Sequence, residues 1–161
     1  MRFPENDRPS PNFSPAPAHE GLGVCFHHSV MSFDETIAHM LRAESAVSYH
    51  VLIAPDGARS RLVPDERIAW HAGASVFHGR PRCNDFLLGV SFAGDTRAAP
   101  LTGEQIASAL DWLAPRWARR GWSPAWMTDH RQIAPGRKDD LHPAEWTRLH
   151  GAIVARFAAV V

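Results

Sequence analysis

Residues 47–64, "VSYHVLIAPDGARSRLVP", decide the fold. Two β-prone runs flank "PDG". Proline presets φ, aspartate bonds its own turn backbone, and glycine takes positive φ without cost. The stretch therefore predicts a β-hairpin. Upstream, "LGVCFHHS" (22–29) reads as a short apolar strand that ends in two histidines. Between the two, "MSFDETIAHMLRAE" (31–44) reads as a helix. Ser32 and Glu35 suit an S-x-x-E capping box, and Ile37, Met40 and Leu41 keep helical spacing.

Downstream, "DERIAWHAGASVFHGRPRCND" (65–85) reads as a long loop, and loops of that length inside a compact domain are usually functional. "FLLGVSFAG" (86–94) reads as a buried strand. "LTGEQIASALDWLAPRWARRG" (101–121) reads as a helix that starts at Thr102 and Gln105 and ends at Gly121. Its stripe is Ile106, Leu110, Leu113 and Trp117, and Pro115 is expected to kink or shorten it. "MTDHRQIAPGRKDDLH" (127–142) reads as irregular. "PAEWTRLHGAIVARF" (143–157) is the last helix, with Pro143 near its start and Trp146, Leu149, Ile153, Val154 and Phe157 on one side. Strands alternate with helices around one hairpin. The expected fold is α/β: a single domain with a central mixed β-sheet flanked by α-helices. Residues 1–20, rich in Pro, Asn and Ser, are expected to form an extended arm without regular elements, laid over a domain spanning 21–161.

The bulk numbers narrow the class of function. A chain of 161 residues with 45% hydrophobic content can bury a real core. A formal net charge of zero, with no basic cluster, argues against a nucleic-acid partner. No apolar run approaches the roughly 20 residues of a membrane helix. The N-terminus lacks the apolar core of a signal peptide, so the expected location is the cytoplasm, or release by a route that needs no signal, as for a phage-type lysin. Cys25 and Cys83 stand outside any C-x-x-C pattern and read as buried thiols.

Side chains alternate across a strand, so His27 and His28 point to opposite sides and one of them at most serves a given site. A second group, "DHRQIAPGRKDD", offers His130 with Asp139 and Asp140. Two histidines and a carboxylate with an open fourth position form the pattern of a catalytic zinc site. A hydrogen-bonded strand-end histidine and a solvated charged loop explain the same residues. Spacing does not decide between these readings, and there is no H-E-x-x-H helix.

Five segments, in order, resemble the amidase-2 family of zinc-dependent N-acetylmuramoyl-L-alanine amidases. They are "VCFHHS", "VSYHVLIAPDG", "LVPDERIAWHAG", "FHGRPRCNDFLLGVSFAG" and "DHRQIAPGRKDD", and they span about Gly21 to Trp146. The fourth, at "GRPRCNDF", and the fifth, at "HRQIAPGRKDD", look most like the AmpD-type recycling branch. The resemblance implies zinc (Zn2+) held by His27, His130 and Asp140, with Asp139 at a variable place. It also implies that Lys138 stabilises the reacting carbonyl oxygen. The implied reaction is hydrolysis of the amide between N-acetylmuramic acid, or its 1,6-anhydro form, and L-alanine, in peptidoglycan or muropeptides. Trp70, His71, Arg82 and Asn84 are the candidates for substrate binding in the long loop, Arg82 matching an arginine that contacts a stem-peptide carboxylate. His39, His50, His78, His142 and His150 read as structural or surface residues.

One position departs from the AmpD-type pattern. Its general-base glutamate falls at Ser91, in "GVSFAG". Three explanations compete: a non-hydrolysing peptidoglycan-binding module, proton work by another group, or the phage-lysozyme branch, which lacks that glutamate and carries a tyrosine. Tyr49 stands at the matching place, so Tyr49 and Ser91 look like a paired choice from that branch. With an ordinary pKa near 10, a tyrosine suits donating a hydrogen bond or orienting water better than acting as the base.

Overall fold

The computed structural model describes residues 2–158. A six-stranded mixed sheet forms its centre. The strands are β1 (Glu5–Asp7), β3 (Gly23–His28), β4 (Val51–Ile53), β5 (Arg59–Arg61), β9 (Leu87–Phe92) and β10 (Met127–Asp129). Their order is β1-β5-β4-β9-β3-β10. Within this sheet only β4 and β5 pair antiparallel, and they are the two arms of the hairpin expected around "PDG". Gly57 takes φ +90° in that turn, where a Cβ would also strike the Phe3 ring. The helices are α1 (Phe33–Met40), α2 (Gly103–Arg120), α3 (His130–Ile133) and α4 (Pro143–Phe157).

Strand alternation divides the sheet into two faces. Val24, Phe26, Val51, Ile53, Leu88, Val90 and Phe92 form one core with Trp112 and Leu113 of α2 and Leu149 and Ile153 of α4. Each such large side chain, fully buried, contributes about 1.5–3 kcal/mol. The other face carries Cys25 and Leu87, which pack with Phe86 and Ile133, and Leu52, which packs with Ile37 and Met40 of α1. His27 and Ser91 are register partners on this second face. The helix ends follow their signals. Thr102 and Gln105 close a complete capping box, and Gly121 ends α2 at φ +64°. At α1 the Ser32 hydroxyl accepts from the Glu35 amide, the expected half of its box.

Five expectations change. The arm holds two short strands: β1 at the sheet edge, parallel to β5, and β2 (Phe13–Ser14), antiparallel to β6 (Ile68–Ala69). Its prolines flank these strands without occupying them, so no ladder donor is lost. The long loop also contains a tight hairpin, β7 (Val76–Phe77) and β8 (Arg80–Pro81). His78 and Gly79 both have positive φ there, as a two-residue primed turn requires. Helix α2 runs through Pro115 to Arg120. Pro115 costs the helix one bond, the one its amide would give to the Asp111 carbonyl, and the Arg116 guanidinium adds a donor to the neighbouring Trp112 carbonyl. "MTD" is a strand, parallel to β3. On α4, Trp146, Leu149, Ile153 and Phe157 pack inward as expected, while Val154 is exposed. Among the described residues, no helix is long and apolar enough to cross a membrane.

Candidate metal centre

Strands β3, β9 and β10 run parallel, so their carboxyl ends meet at one edge of the sheet, where open α/β sheets place their sites. His27 lies in the last turn of the pleat of β3. His130 follows β10 directly as the first residue of α3. Asp140 comes from the loop after α3, and its backbone is tied to that helix. The Arg131 amide donates to the Asp140 carbonyl, and the Leu141 amide donates to Asp129 Oδ2 at 3.0 Å. Asp129 Oδ1 also caps α3 by accepting from the Gln132 amide. One buried aspartate thus fixes the segments that carry both His130 and Asp140.

The three side chains converge, each at most 8% exposed. His27 Nδ1 is 3.1 Å from His130 Nδ1 and 3.4 Å from Asp140 Oδ2, and His130 Nδ1 is 3.4 Å from Asp140 Oδ1. Ligands about 2.0–2.1 Å from a tetrahedral zinc are separated by roughly 3.3–3.4 Å. The two nitrogens stand slightly closer than that, and each lies at that spacing from one of the two Asp140 oxygens.

Hydrogen bonds elsewhere on the rings set the tautomers. His130 Nε2 donates to the Ala72 carbonyl, so Nδ1 of the neutral ring carries a lone pair. His71 Nε2 donates to the Leu87 carbonyl, so His71 Nδ1 accepts, and the proton between His71 and His27 belongs to His27 Nε2. His27 Nδ1 is then also a lone pair. Two nitrogen lone pairs and a carboxylate face one another inside the protein, an arrangement that calls for a cation between them. Burial and the neighbouring His130 lower the His27 pKa to about 4, which keeps the ring neutral as a ligand must be. Burial alone would raise Asp140, but contact with His130 and His27 overcomes it and holds the carboxyl far below its usual range.

Two other donor groups have similar spacing, and the same bookkeeping disfavours both. Cys25, His27 and His71 would use the nitrogens already joined by a hydrogen bond, and burial pushes the Cys25 thiol far up. His28, Asp139 and Asp140 would use a ring whose Nδ1 accepts from the Thr96 amide, leaving the proton on Nε2. His28 thus turns away from His27, as alternation expects, and Asp139 pairs with Arg97.

The triangle forms the floor of an open cavity of about 740 Å³, walled by Tyr49, Trp70, Val30 and Lys138. The Tyr49 ring lies 5.2 Å from that of His27. Burial pushes its phenol up to about 12, offset in part by the Ser91 hydroxyl. Ser91 Oγ is fully buried and makes no well-formed hydrogen bond. Lys138 is exposed and, among the described residues, has no ion-pair partner. Trp70 donates its indole N–H to Ser14 of the arm.

His71 lines the cavity, and both its nitrogens bond within the protein, to His27 Nε2 and the Leu87 carbonyl. Asn84 Oδ1 accepts the amides of His71 and Ala72. Neither Asn84 nor Arg82 lines the cavity, and the Arg82 side chain is 84% exposed beside Asp85. Three residues on or near the site escape sequence reasoning. Arg137 lines the cavity and donates to the Ala72 and Ala74 carbonyls. Val30, on the rim, has φ +69°, a strained conformation for a β-branched residue. Asp129 carried a readable signal, an aspartate just before a helical turn.

Known proteins resemble this chain in sequence and fold. The profile of the N-acetylmuramoyl-L-alanine amidases, amidase-2, matches residues 18–143. The 1,6-anhydro-N-acetylmuramyl-L-alanine amidase AmpD of Escherichia coli K12 is 42% identical over 121 residues, which are 70% of this chain and 63% of that protein. The chain spans less than two thirds of the length of the first curated relatives it matches. A crystal structure of an AmpD superposes with a TM-score of 0.78 at 27% identity, covering 94% of this chain and 95% of that one. The E. coli amidase AmiD, solved with anhydro-N-acetylmuramic acid-L-Ala-D-γ-Glu-L-Lys, has a TM-score of 0.71 at 26% identity, covering 86% and 60%.

Proposed function

The chain belongs to the amidase-2 family, and from that premise we propose that it is a zinc amidase that cleaves the bond between N-acetylmuramic acid, or its 1,6-anhydro form, and L-alanine. One observation carries the reading: His27 Nδ1, His130 Nδ1 and Asp140 converge as lone pairs at tetrahedral spacing on the floor of an open cavity. These residues would hold zinc, which supplies a Lewis acid and a water acidic enough to attack near neutral pH. Lys138 brings an unpaired ammonium to the cavity wall, where it meets the oxyanion that develops on the amide carbonyl. Tyr49 keeps its proton at neutral pH, so it serves as a donor that orients water or substrate and not as a base. Arg82, on an exposed tip, suits a carboxylate of the stem peptide once a long substrate leaves the cavity. Trp70 offers an aromatic wall.

The names of the AmpD relatives carry the 1,6-anhydro form, which supports an anhydro-muropeptide over polymeric wall, and with it the proposal of recycling in the cytoplasm. The test is incubation of the zinc-loaded protein with purified anhydro-muropeptide and, separately, with intact sacculi. Product masses should show a free peptide that begins with L-alanine. The second reading, a binding module without hydrolysis, draws on Ser91, a buried hydroxyl where no carboxylate stands. Stoichiometric zinc with no cleavage of either substrate would favour that module.

A further inference from the structure

Two adjacent residues receive the outer N–H groups of both candidate histidine ligands. His71 Nδ1 accepts from His27 Nε2 at 2.9 Å, and the Ala72 carbonyl accepts from His130 Nε2 at 2.9 Å. The amides of the same two residues converge on one atom, Asn84 Oδ1, at 3.0 and 2.8 Å. The His71 ring has little room to adjust. It lies against Gly89, where an added Cβ would come within 2.6 Å of His71 Cγ, and its far nitrogen bonds the Leu87 carbonyl. Arg137, from the loop that carries Asp140, donates to the Ala72 carbonyl at 2.6 Å. The dipeptide 71–72 therefore touches all three segments that bear ligands.

We propose that Asn84 is a positioning residue for the metal centre: its single amide oxygen holds the 71–72 backbone and so orients His27 and His130 together. The inference rests on the metal role proposed for His27, His130 and Asp140. An amide oxygen has two lone pairs, and both are used here. Alanine at 84 would leave two backbone donors without their acceptor and free the dipeptide to drift, loosening both rings at once. Outer-shell partners of metal-binding histidines typically govern 10–100-fold in metal affinity.

The test measures zinc affinity by competition with a chromophoric chelator for the wild type, Asn84→Ala and Asn84→Asp. The absorption spectrum of each cobalt-loaded protein reports ligand geometry. Asn84→Ala should bind zinc about 10–100-fold more weakly and shift the cobalt bands. Asn84→Asp keeps an oxygen acceptor and should recover most of the affinity. His71→Asn, which places an acceptor near the former Nδ1, should bind more tightly than His71→Ala, and so tests the His27 arm even if Asn84→Ala fails to fold. Unchanged affinity in Asn84→Ala, or an Asn84→Asp protein as weak as Asn84→Ala, would overturn the proposal while leaving the zinc reading intact. A wild type that binds no zinc would overturn both.

Discussion

His27 is held from one end of its ring: Nε2 donates a hydrogen bond to His71, and Nδ1 is left bare toward His130 and Asp140. That asymmetry makes the histidine pair of β3 testable. His27→Ala, His130→Ala and Asp140→Ala should each lose stoichiometric zinc by elemental analysis, because three protein ligands are the minimum of a catalytic site. His28→Ala should retain it, since His28 bonds Thr96 on the other side of the strand. Zinc lost from His28→Ala and kept by His27→Ala would reverse the assignment. Tyr49→Phe removes one donor beside the floor of the cavity and leaves the zinc ligands untouched. Metal content should hold while kcat falls by about 10²–10³, the usual effect of losing one transition-state donor. Unchanged turnover would make Tyr49 a packing residue.

Within β9, Gly89 has a specific task. Its strand is buried on both faces, and the missing side chain is the space filled by His71. Gly89→Ala should destabilise the protein by about 1–3 kcal/mol in urea denaturation, the range for overpacking a core, and should weaken zinc binding as His71 is displaced. Lower stability with unchanged zinc affinity would separate the packing of His71 from the metal centre. The elements differ in how far the chain discloses them. The hairpin, α2 and α4 are long or carry turn and cap chemistry, so "PDG", the Thr102–Gln105 box and Pro143 locate them. Strand β10 has three residues, too few for any period, and exists because β3 offers a parallel edge. The arm strands depend likewise on the edges of β5 and β6. For the site, family resemblance brought His27, His130 and Asp140 together, whereas the tasks of His71 and Asn84 depend on ring and backbone geometry that spacing does not encode.

Across the molecule, buried neutral histidines and the metal centre pull stability in opposite directions. His50 accepts the Gly89 amide at Nδ1 and donates to the Arg67 carbonyl at Nε2, and burial pulls its pKa far down. Burial also lowers His19 and His28. Below pH of about 6.5 the unfolded chain takes up protons that the fold refuses, so stability falls as pH falls. The urea midpoint of the chelator-treated protein should drop from pH 7.5 to 5, as the unfolding free energy falls by up to about 1.4 kcal/mol per pH unit for each such histidine. A flat midpoint would mean that these rings accept protons without cost. Zinc acts the other way. Its proposed ligands come from positions 27, 130 and 140, so a bound ion would join the centre of the sheet to the 134–142 loop and would bind only the folded form. At free zinc 1,000 times Kd that linkage is worth about 4.1 kcal/mol, or roughly 8–16 °C in Tm for a chain of this size. Removing zinc also leaves two lone pairs and a carboxylate facing one another, and the loop that carries Asp140 is the part able to move away. Arg137 and Lys138 are exposed on that loop. Chelation should therefore lower Tm and speed tryptic cleavage after Arg137 and Lys138 before other sites are cut. Equal melting and equal cleavage with and without zinc would show that the three side chains hold together without an ion, and would remove the metal reading.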